Sequence, residues 1–372
     1  MLVGLTTAVW SQSAGKGQSE VVLTSDTDYQ GLIDTLQRDR LAATIDHLAS
    51  LGSRVTGYPG NLQAAAYVEQ AFRALGLEVS TEEFQVLVPM PKPDAQGRAA
   101  TLTLTNGRAF EVVPLWPNLV RMPKTPPQGL TGQLVYAGKG DLASFNGQDV
   151  TDSIVLLDFD CGREWCNAPL LGAKAVLFIE PRETIRGEAE QKFLSMPVDI
   201  PRFWVPKATG DMLLSLLKQQ GQVKVNVHCD MDWQKVTSKN ILGKLEGSDP
   251  QLAREQVVLQ AYYDSISIAP TVAPGAENAC SIAALLQLAQ AFKAHRPKRS
   301  VTFLATSGHF QAMSGEKSFL AARRRGARNE RSLKGIYALL KQARGELSDA
   351  ETRIWEEDRG PRVEGTEPKT RD

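Results

Sequence analysis

A strand–helix–strand pattern in the second half of this 372-residue chain constrains its fold more than any other feature. Val257 to Ala261 and Ser300 to Thr306 are apolar runs of the kind found in strands buried on both faces. Between them, Ser281 to Phe292 carries apolar residues at helical spacing. This order predicts a parallel βαβ unit, in which functional residues gather at the carboxyl ends of the strands. Those ends are Tyr262 to Ser265 and Ser307 to Gln311.

The N-terminal part of the chain shows helical periodicity and then alternation. Residues 29–50 predict one helix, since their leucines and isoleucines recur at roughly helical spacing. A second helix is predicted with Asn61 as its N-cap and Gly76 as its stop. Leu77 to Val88 alternates and predicts a strand.

The sequence pattern changes near the middle of the chain, where turns, prolines and short predicted strands replace helical periodicity. Asn106-Gly107 predicts a hairpin turn, and the prolines between Pro114 and Pro127 mark a linker. Beyond the linker, short strands and turns predict a compact β-rich insert over about residues 118–232. The predicted strands are Leu134–Ala137, Ile154–Phe159, Ala175–Ile179 and Val223–Val227, with helices near Pro169–Ala173 and Ala208–Gln219.

Composition excludes several classes of protein. Lys plus Arg equals Asp plus Glu at 42 each, so the basic excess of a nucleic-acid-binding protein is missing. No apolar run is long enough for a membrane-spanning helix. Four cysteines are too few for a disulfide scaffold, although Cys161 and Cys166 flank a short loop and could pair. The apolar start fits either a clipped secretory signal or a frayed terminus, so the compartment stays open with a weak preference for secreted or periplasmic.

Several segments occur in an order and spacing that resemble the M28 family of zinc aminopeptidases. They are "SLGSRVTGYPGNLQAAAYVEQAFRALGLEV", "NILGKLEGSD", "VVLQAYYDS", "APGAENACSIAALLQLAQAF" and "RSVTFLATSGHFQAMSGEKSFL". The resemblance covers about residues 40–90 and 236–320. It implies an α/β fold with a mixed, largely parallel sheet sandwiched by helices. The intervening stretch resembles a protease-associated (PA) domain.

This resemblance suggests a division of the chain into five parts. Residues 1–25 are an N-terminal segment, 26–117 and 233–322 are the two parts of a peptidase-like domain, and 118–232 are the PA-like insert. Residues 323–372 form a basic and then polar tail, expected to be partly disordered.

At the first strand end, the family carries His-x-Asp, with the His on zinc and the Asp orienting it. The matching residues are Tyr262, Tyr263 and Asp264. The Asp is present, but a phenol must lose a proton with a pKa near 10 before it can act as a ligand. Packing or cleft lining is therefore the expected role of Tyr262, and capping a turn or holding a backbone amide that of Asp264.

The remaining family positions are also altered. Where the resemblance places a bridging Asp followed by Asn, the chain has Glu277 and Asn278; where it places a general base and a zinc ligand, both glutamates, the chain has His309 and Phe310. No histidine follows His309 to supply a late ligand. We therefore expect no intact catalytic or zinc site, with Asp264, Glu277 and His309 as weak metal candidates.

Four functional hypotheses remain. The preferred one is a pseudopeptidase that keeps the scaffold, binds a peptide or protein and needs no cofactor. The runner-up is an active zinc-dependent aminopeptidase in which Asp264, Glu277 and His309 share one metal. The others are a binding module based on the PA-like insert and a truncated fragment of a longer peptidase-like protein.

Overall fold

A computed structural model describes residues 26–115, 121–193, 198–265, 275–326, 340–342, 344–346 and 348–350. The possible signal remnant and most of the tail lie outside the described residues. Contacts divide the chain into two units, residues 1–319 and 320–372. The sheets and the candidate site lie in the first unit. Within the described residues of the second unit, the chain is helical at the end of the helix Ser314–Gly326 and at residues 340–342, 344–346 and 348–350.

The described strands alternate with helices in an order that fits a mixed α/β fold. In chain order, the helices are α1 (Asp26–Asp34), α2 (Arg38–Ser50), α3 (Pro59–Ala74), α4 (Asn167–Leu170), α5 (Arg186–Phe193), α6 (Lys207–Gln220), α7 (Gly275–Ala294) and α8 (Ser314–Gly326). The strands are β1 (Glu78–Pro91), β2 (Ala100–Leu104), β3 (Ala109–Pro114), β4 (Leu130–Tyr136), β5 (Ile154–Asp158), β6 (Ala175–Ile179), β7 (Arg202–Val205), β8 (Lys224–His228), β9 (Met231–Leu245), β10 (Gln256–Tyr262) and β11 (Ser300–Thr306).

The first helices differ in detail from the prediction. The single helix expected over 29–50 is two helices, and the backbone N–H of Gln37, between them, donates to Oε1 of Gln287. Asn61 is not an N-cap: α3 begins at Pro59, whose fixed φ suits the first helical position. Gly76 ends this region as predicted, with a φ of 66°.

A four-stranded mixed sheet has the order β1-β9-β11-β10. Within the described residues β10 and β11 run parallel, whereas β9 is antiparallel to both β11 and β1, so the sheet is less parallel than expected. One face carries Phe303 packed with Phe72 of α3. On the other face Leu304 packs with Leu242 and Phe319.

The second assembly is a closed barrel with the strand order β2-β3-β7-β6-β5-β4-β8. Its strands enclose a buried apolar cluster that includes Leu102, Leu156 and Leu177. The predicted hairpin at Gly107 (φ 83°) is confirmed, and it joins β2 to β3 within this barrel. The barrel therefore includes strands that precede residue 118, where the insert was predicted to begin.

The sheet contains a long antiparallel ribbon, because β1 and β9 pair over their whole lengths from Glu78 opposite Lys244 to Pro91 opposite Met231. Met231, at one end of the ribbon, packs in the buried apolar cluster of the barrel. The structure also bears on two questions raised by the sequence. Cys161 and Cys166 are free thiols. None of the helices in the described residues has the length and apolarity needed to cross a membrane.

Candidate functional site

The carboxyl ends of β10 and β11 meet, as the βαβ pattern predicted, because Tyr262 pairs with Thr306 at the end of the parallel register. Asp264 follows β10 and is completely buried. Its Oδ2 accepts hydrogen bonds from the Thr56 hydroxyl at 3.2 Å and from the backbone N–H of His309 at 3.0 Å. The interpretation that Asp264 holds a backbone amide is therefore confirmed.

The rings of Tyr262 and His309 stack at this edge, with centroids 4.1 Å apart and planes 13° apart. Phe310 stands nearly perpendicular to both, with its centroid 5.5 Å from that of Tyr262 and 5.1 Å from that of His309. Phe310 also packs against the apolar cluster that contains Trp204 of the barrel. The three side chains thus form one aromatic cluster across the strand ends.

Glu316, in the first turn of α8, supplies an acid partner for His309 that the sequence did not reveal. Its Oε1 lies 3.1 Å from Nδ1 of His309 and also accepts hydrogen bonds from Thr306 and Gln260. An ionised carboxylate only accepts, so Nδ1 carries the proton. Burial alone would raise the pKa of Glu316, but the hydrogen bonds from His309, its own backbone and Thr306 outweigh burial and lower this pKa.

Asp264 has a different electrostatic environment. Its burial raises the pKa of its carboxyl to about 7, despite the opposing charge of His309 and the hydrogen bond from Thr56. Among the described residues, Oδ1 of Asp264 has no hydrogen-bond partner. Burial therefore makes the ionised form of Asp264 less stable than the same carboxylate would be in water.

The loop before α3 holds these strand ends from the opposite side. The fully buried Arg54 donates from Nε to the carbonyl of Tyr263 at 3.2 Å and from a terminal nitrogen to the carbonyl of Leu48 at 2.6 Å. The backbones of Arg54 and Ser265 are joined by a hydrogen bond of 3.0 Å. The contacts of Arg54 with Tyr263 and Ser265 join residues 209 and 211 positions apart, and the sequence analysis did not predict them.

Thr56 and Asn61 extend this connection to the second strand end. The Thr56 hydroxyl accepts from the backbone N–H of Gly308 at 3.0 Å, and Nδ2 of Asn61 donates to the Ser307 hydroxyl at 3.2 Å. Nothing in the local sequence of this loop, residues 53–57, predicts that it hydrogen-bonds to the ends of β10 and β11.

Glu277 and Asn278 lie in the first turn of α7, where Glu277 is exposed and Asn278 is buried. No group of three or more His, Cys, Asp or Glu side chains that could hold a metal ion occurs within the described ranges. Within those ranges, Asp264, Glu277 and His309 therefore do not form a group that could hold a metal ion.

The residues present do not fit the tetrahedral nitrogen, sulfur and carboxylate donor set that zinc prefers. Phe310 has no donor atom, and Tyr262 offers a phenol stacked on an imidazole rather than an imidazole. His309 could offer only Nε2 as a ligand, because its Nδ1 donates to Glu316.

The comparisons with known proteins agree with this class of fold. Residues 240–339 match the peptidase family M28. The peptidase M28 precursor from Shewanella amazonensis SB2B has a similar structure, with a TM-score of 0.50 and 16% sequence identity over 80% of this chain and 70% of that one. A zinc aminopeptidase from Bacillus subtilis gives a TM-score of 0.48 and 23% identity over 73% of this chain and 61% of that one.

Over a shorter stretch, the chain resembles a vacuolar membrane protease from Schizophyllum commune. The two are 33% identical over 81 residues, which are 22% of this chain and 8% of that protein. The chain is thus M28-like over residues 240–339, and its mixed α/β fold is similar to that of the Shewanella amazonensis peptidase M28 precursor.

Proposed function

We propose that this chain is an M28-peptidase-like protein without zinc-dependent aminopeptidase activity, and that it binds a peptide or protein at its altered strand ends. The observation that supports this most strongly is the stack of Tyr262 on His309, closed by Phe310. These residues stand where the M28 resemblance places a zinc ligand, the general base and a second zinc ligand.

The chemistry of each side chain supports the loss of hydrolysis. A general base must be free to accept a proton from water, and a metal normally makes that water acidic enough. Nδ1 of His309 donates to Glu316, so only Nε2 could act as a base, and one face of the ring is covered by Tyr262. Phe310 can neither ligate a metal nor accept a proton.

The same side chains suit binding. Tyr262, His309 and Phe310 are each half-buried, so they offer partly exposed ring surface at the edge of the sheet. Aromatic rings contribute large contact areas to protein interfaces, and the polar tips of Tyr and His can hydrogen-bond a backbone. A peptide lying across the strand ends would meet both kinds of group.

We propose that the PA-like insert of residues 118–232, which supplies strands β4 to β8 of the barrel, takes part in capturing the ligand. Phe310 supports this idea, because it packs against a buried cluster that includes Trp165 and Trp204 of the barrel region. Ligand bound at the strand ends would therefore lie beside barrel residues. Retained binding after Phe310→Ala would argue against the strand ends as the ligand site.

The expected result of an aminopeptidase assay is no release of the chromophore from aminoacyl-p-nitroanilides by the purified full chain, with or without added zinc. The Bacillus subtilis zinc aminopeptidase, measured in parallel, is the positive control. Release that a chelator abolishes would overturn the proposal. Loss of that release in Glu277→Gln, with unchanged folding, would then favour a rebuilt metal site that includes Glu277.

A further inference from the structure

The opposite end of the four-stranded sheet holds a pocket that is separate from the strand-end site. This open pocket of about 540 Å³ lies between the connection from β9 to β10 and the connection from α7 to β11, two segments that the structure describes throughout. Since β10 has seven residues and a strand rises about 3.3 Å per residue, the pocket lies roughly 20 Å from the aromatic cluster. The residues that line it are Glu246, Gly247, Ser248, Pro250, Ala253, Arg254 and Arg296.

Hydrogen bonds between the two connections fix one wall of this pocket. The backbone N–H of Ser248 donates to the carbonyl of Pro297 at 2.8 Å, and that of Gly247 donates to the Ser300 hydroxyl at 3.0 Å. A Cβ at position 247 would lie 2.2 Å from the carbonyl oxygen of Lys298, so glycine allows the two segments to approach this closely. The wall is therefore built largely from hydrogen-bonded backbone.

Two guanidinium groups, those of Arg254 and Arg296, line the pocket. Arg254 is exposed and forms no ion pair with a described residue; its neighbour Glu255 pairs with Arg299 at 2.6 Å instead. Arg296 donates from Nε to the carbonyl of Glu246 at 2.7 Å. Its Nη2 lies 3.8 Å from the Glu246 carboxylate, a side chain that is 76% exposed, so this ion pair is weak and leaves donors for a ligand.

The other acid of the β9–β10 connection, Asp249, is already engaged. Its Oδ1 accepts hydrogen bonds from the backbone N–H groups of Leu252 and Gln251 at 2.9 and 2.8 Å. These hydrogen bonds lower the pKa of Asp249 despite some desolvation, and the positive charges of Lys298 and Arg299 lower it further. The surroundings of the pocket therefore favour negative charge.

We propose that this pocket binds the phosphate group of a small ligand, with the guanidinium groups of Arg254 and Arg296 as donors. A guanidinium presents its N–H groups in a planar fork that matches phosphate oxygens. Two forks from separate segments suit a tetrahedral phosphate better than a planar carboxylate, because a phosphate can present oxygens to both. Pro250 and Ala253 supply apolar surface for the rest of the ligand. The pocket volume is in the usual range for small-molecule sites, about 300–1,000 Å³.

The test is a phosphorus NMR titration of the full chain with inorganic phosphate at constant ionic strength. We expect saturable binding to the wild type. Arg254→Gln or Arg296→Gln should raise the dissociation constant roughly tenfold, because each removes a charge-assisted hydrogen bond. Glu246→Gln should lower it about two- to threefold, since it removes a negative charge that lines the pocket. The matched control is Arg73→Gln on α3, whose side chain is 60% exposed and which should leave binding unchanged.

The opposite effects of Arg254→Gln and Glu246→Gln separate a specific site from damage to the fold, because a misfolded variant would not bind more tightly. Binding that does not saturate, that ignores both arginine substitutions, or that Arg73→Gln weakens equally would overturn the proposal. Competition with succinate tests the class of ligand, and we expect succinate to displace phosphate poorly. Equal displacement by succinate would indicate a carboxylate site and would also overturn the proposal.

Discussion

Arg54→Met is expected to lower the free energy of unfolding by about 2–4 kcal/mol, because it removes buried charged hydrogen bonds and leaves carbonyl groups unsatisfied. The Arg54 guanidinium donates to the carbonyls of Leu48 and Tyr263, and the side chain is wholly buried. Methionine has nearly the same length but no donor. Burial already lowers the pKa of Arg54 to about 10, with the negative charge of Asp264 opposing that shift.

Denaturant unfolding of the wild type and of Arg54→Met measures this difference in the free energy of unfolding. Arg73→Met is the matched control: its side chain is 60% exposed and forms an i,i+4 ion pair with Glu69 at 2.8 Å. Exposed pairs of this kind contribute about 0.5 kcal/mol or less. A loss for Arg54→Met no larger than that for Arg73→Met would show that the loop does not hold the strand ends.

The second expected result concerns Asp264→Asn, which should remove the pH-dependent contribution of the Asp264 carboxyl to the free energy of unfolding. The folded pKa of Asp264, about 7, exceeds the value of 3.8 for an unperturbed Asp. The folded protein therefore holds this proton more tightly than the unfolded chain. Its contribution to stability is present at low pH and is lost as the pH rises between these two values.

Relative to Asp264→Asn, the wild type should lose roughly 1 kcal/mol per pH unit between about pH 5 and 7, and little more above that. Asparagine keeps one carbonyl oxygen to accept from Thr56 and from the N–H of His309. His309 and Glu316, which also face this carboxyl, are present in both proteins, so the difference curve isolates Asp264. If the free energy of unfolding changed with pH equally in the wild type and in Asp264→Asn over this range, a raised pKa for Asp264 would be contradicted.

The strand ends were predictable from sequence because their signals are local. The apolar runs at Val257–Ala261 and Ser300–Thr306 became β10 and β11 with nearly the predicted bounds. Parallel pairing then placed Asp264 and His309 at one edge. The helix between them begins at Gly275, earlier than the apolar periodicity showed, because its first turns carry Glu277 and Asn278 rather than an apolar stripe.

The partners of these residues were not predictable, because they depend on the reversal of the chain after β11. Gly308, Ala312 and Met313 all have positive φ, and this turn brings Glu316 back to His309. Glu316 lies in the first turn of α8, where an acidic residue is common for helix-dipole reasons alone, so its identity predicts no partner. The closed barrel was not predicted either, since β7 was not among the predicted strands and barrel closure is a long-range property.

Zinc stoichiometry tests the central claim most directly. The measurement is elemental analysis of the full chain, purified without chelators or a histidine tag, before and after incubation with zinc and desalting. The proposed loss of the metal site predicts far less than one zinc per chain in both samples. One or two tightly held zinc ions per chain, reduced by His309→Ala or Asp264→Ala, would contradict the account.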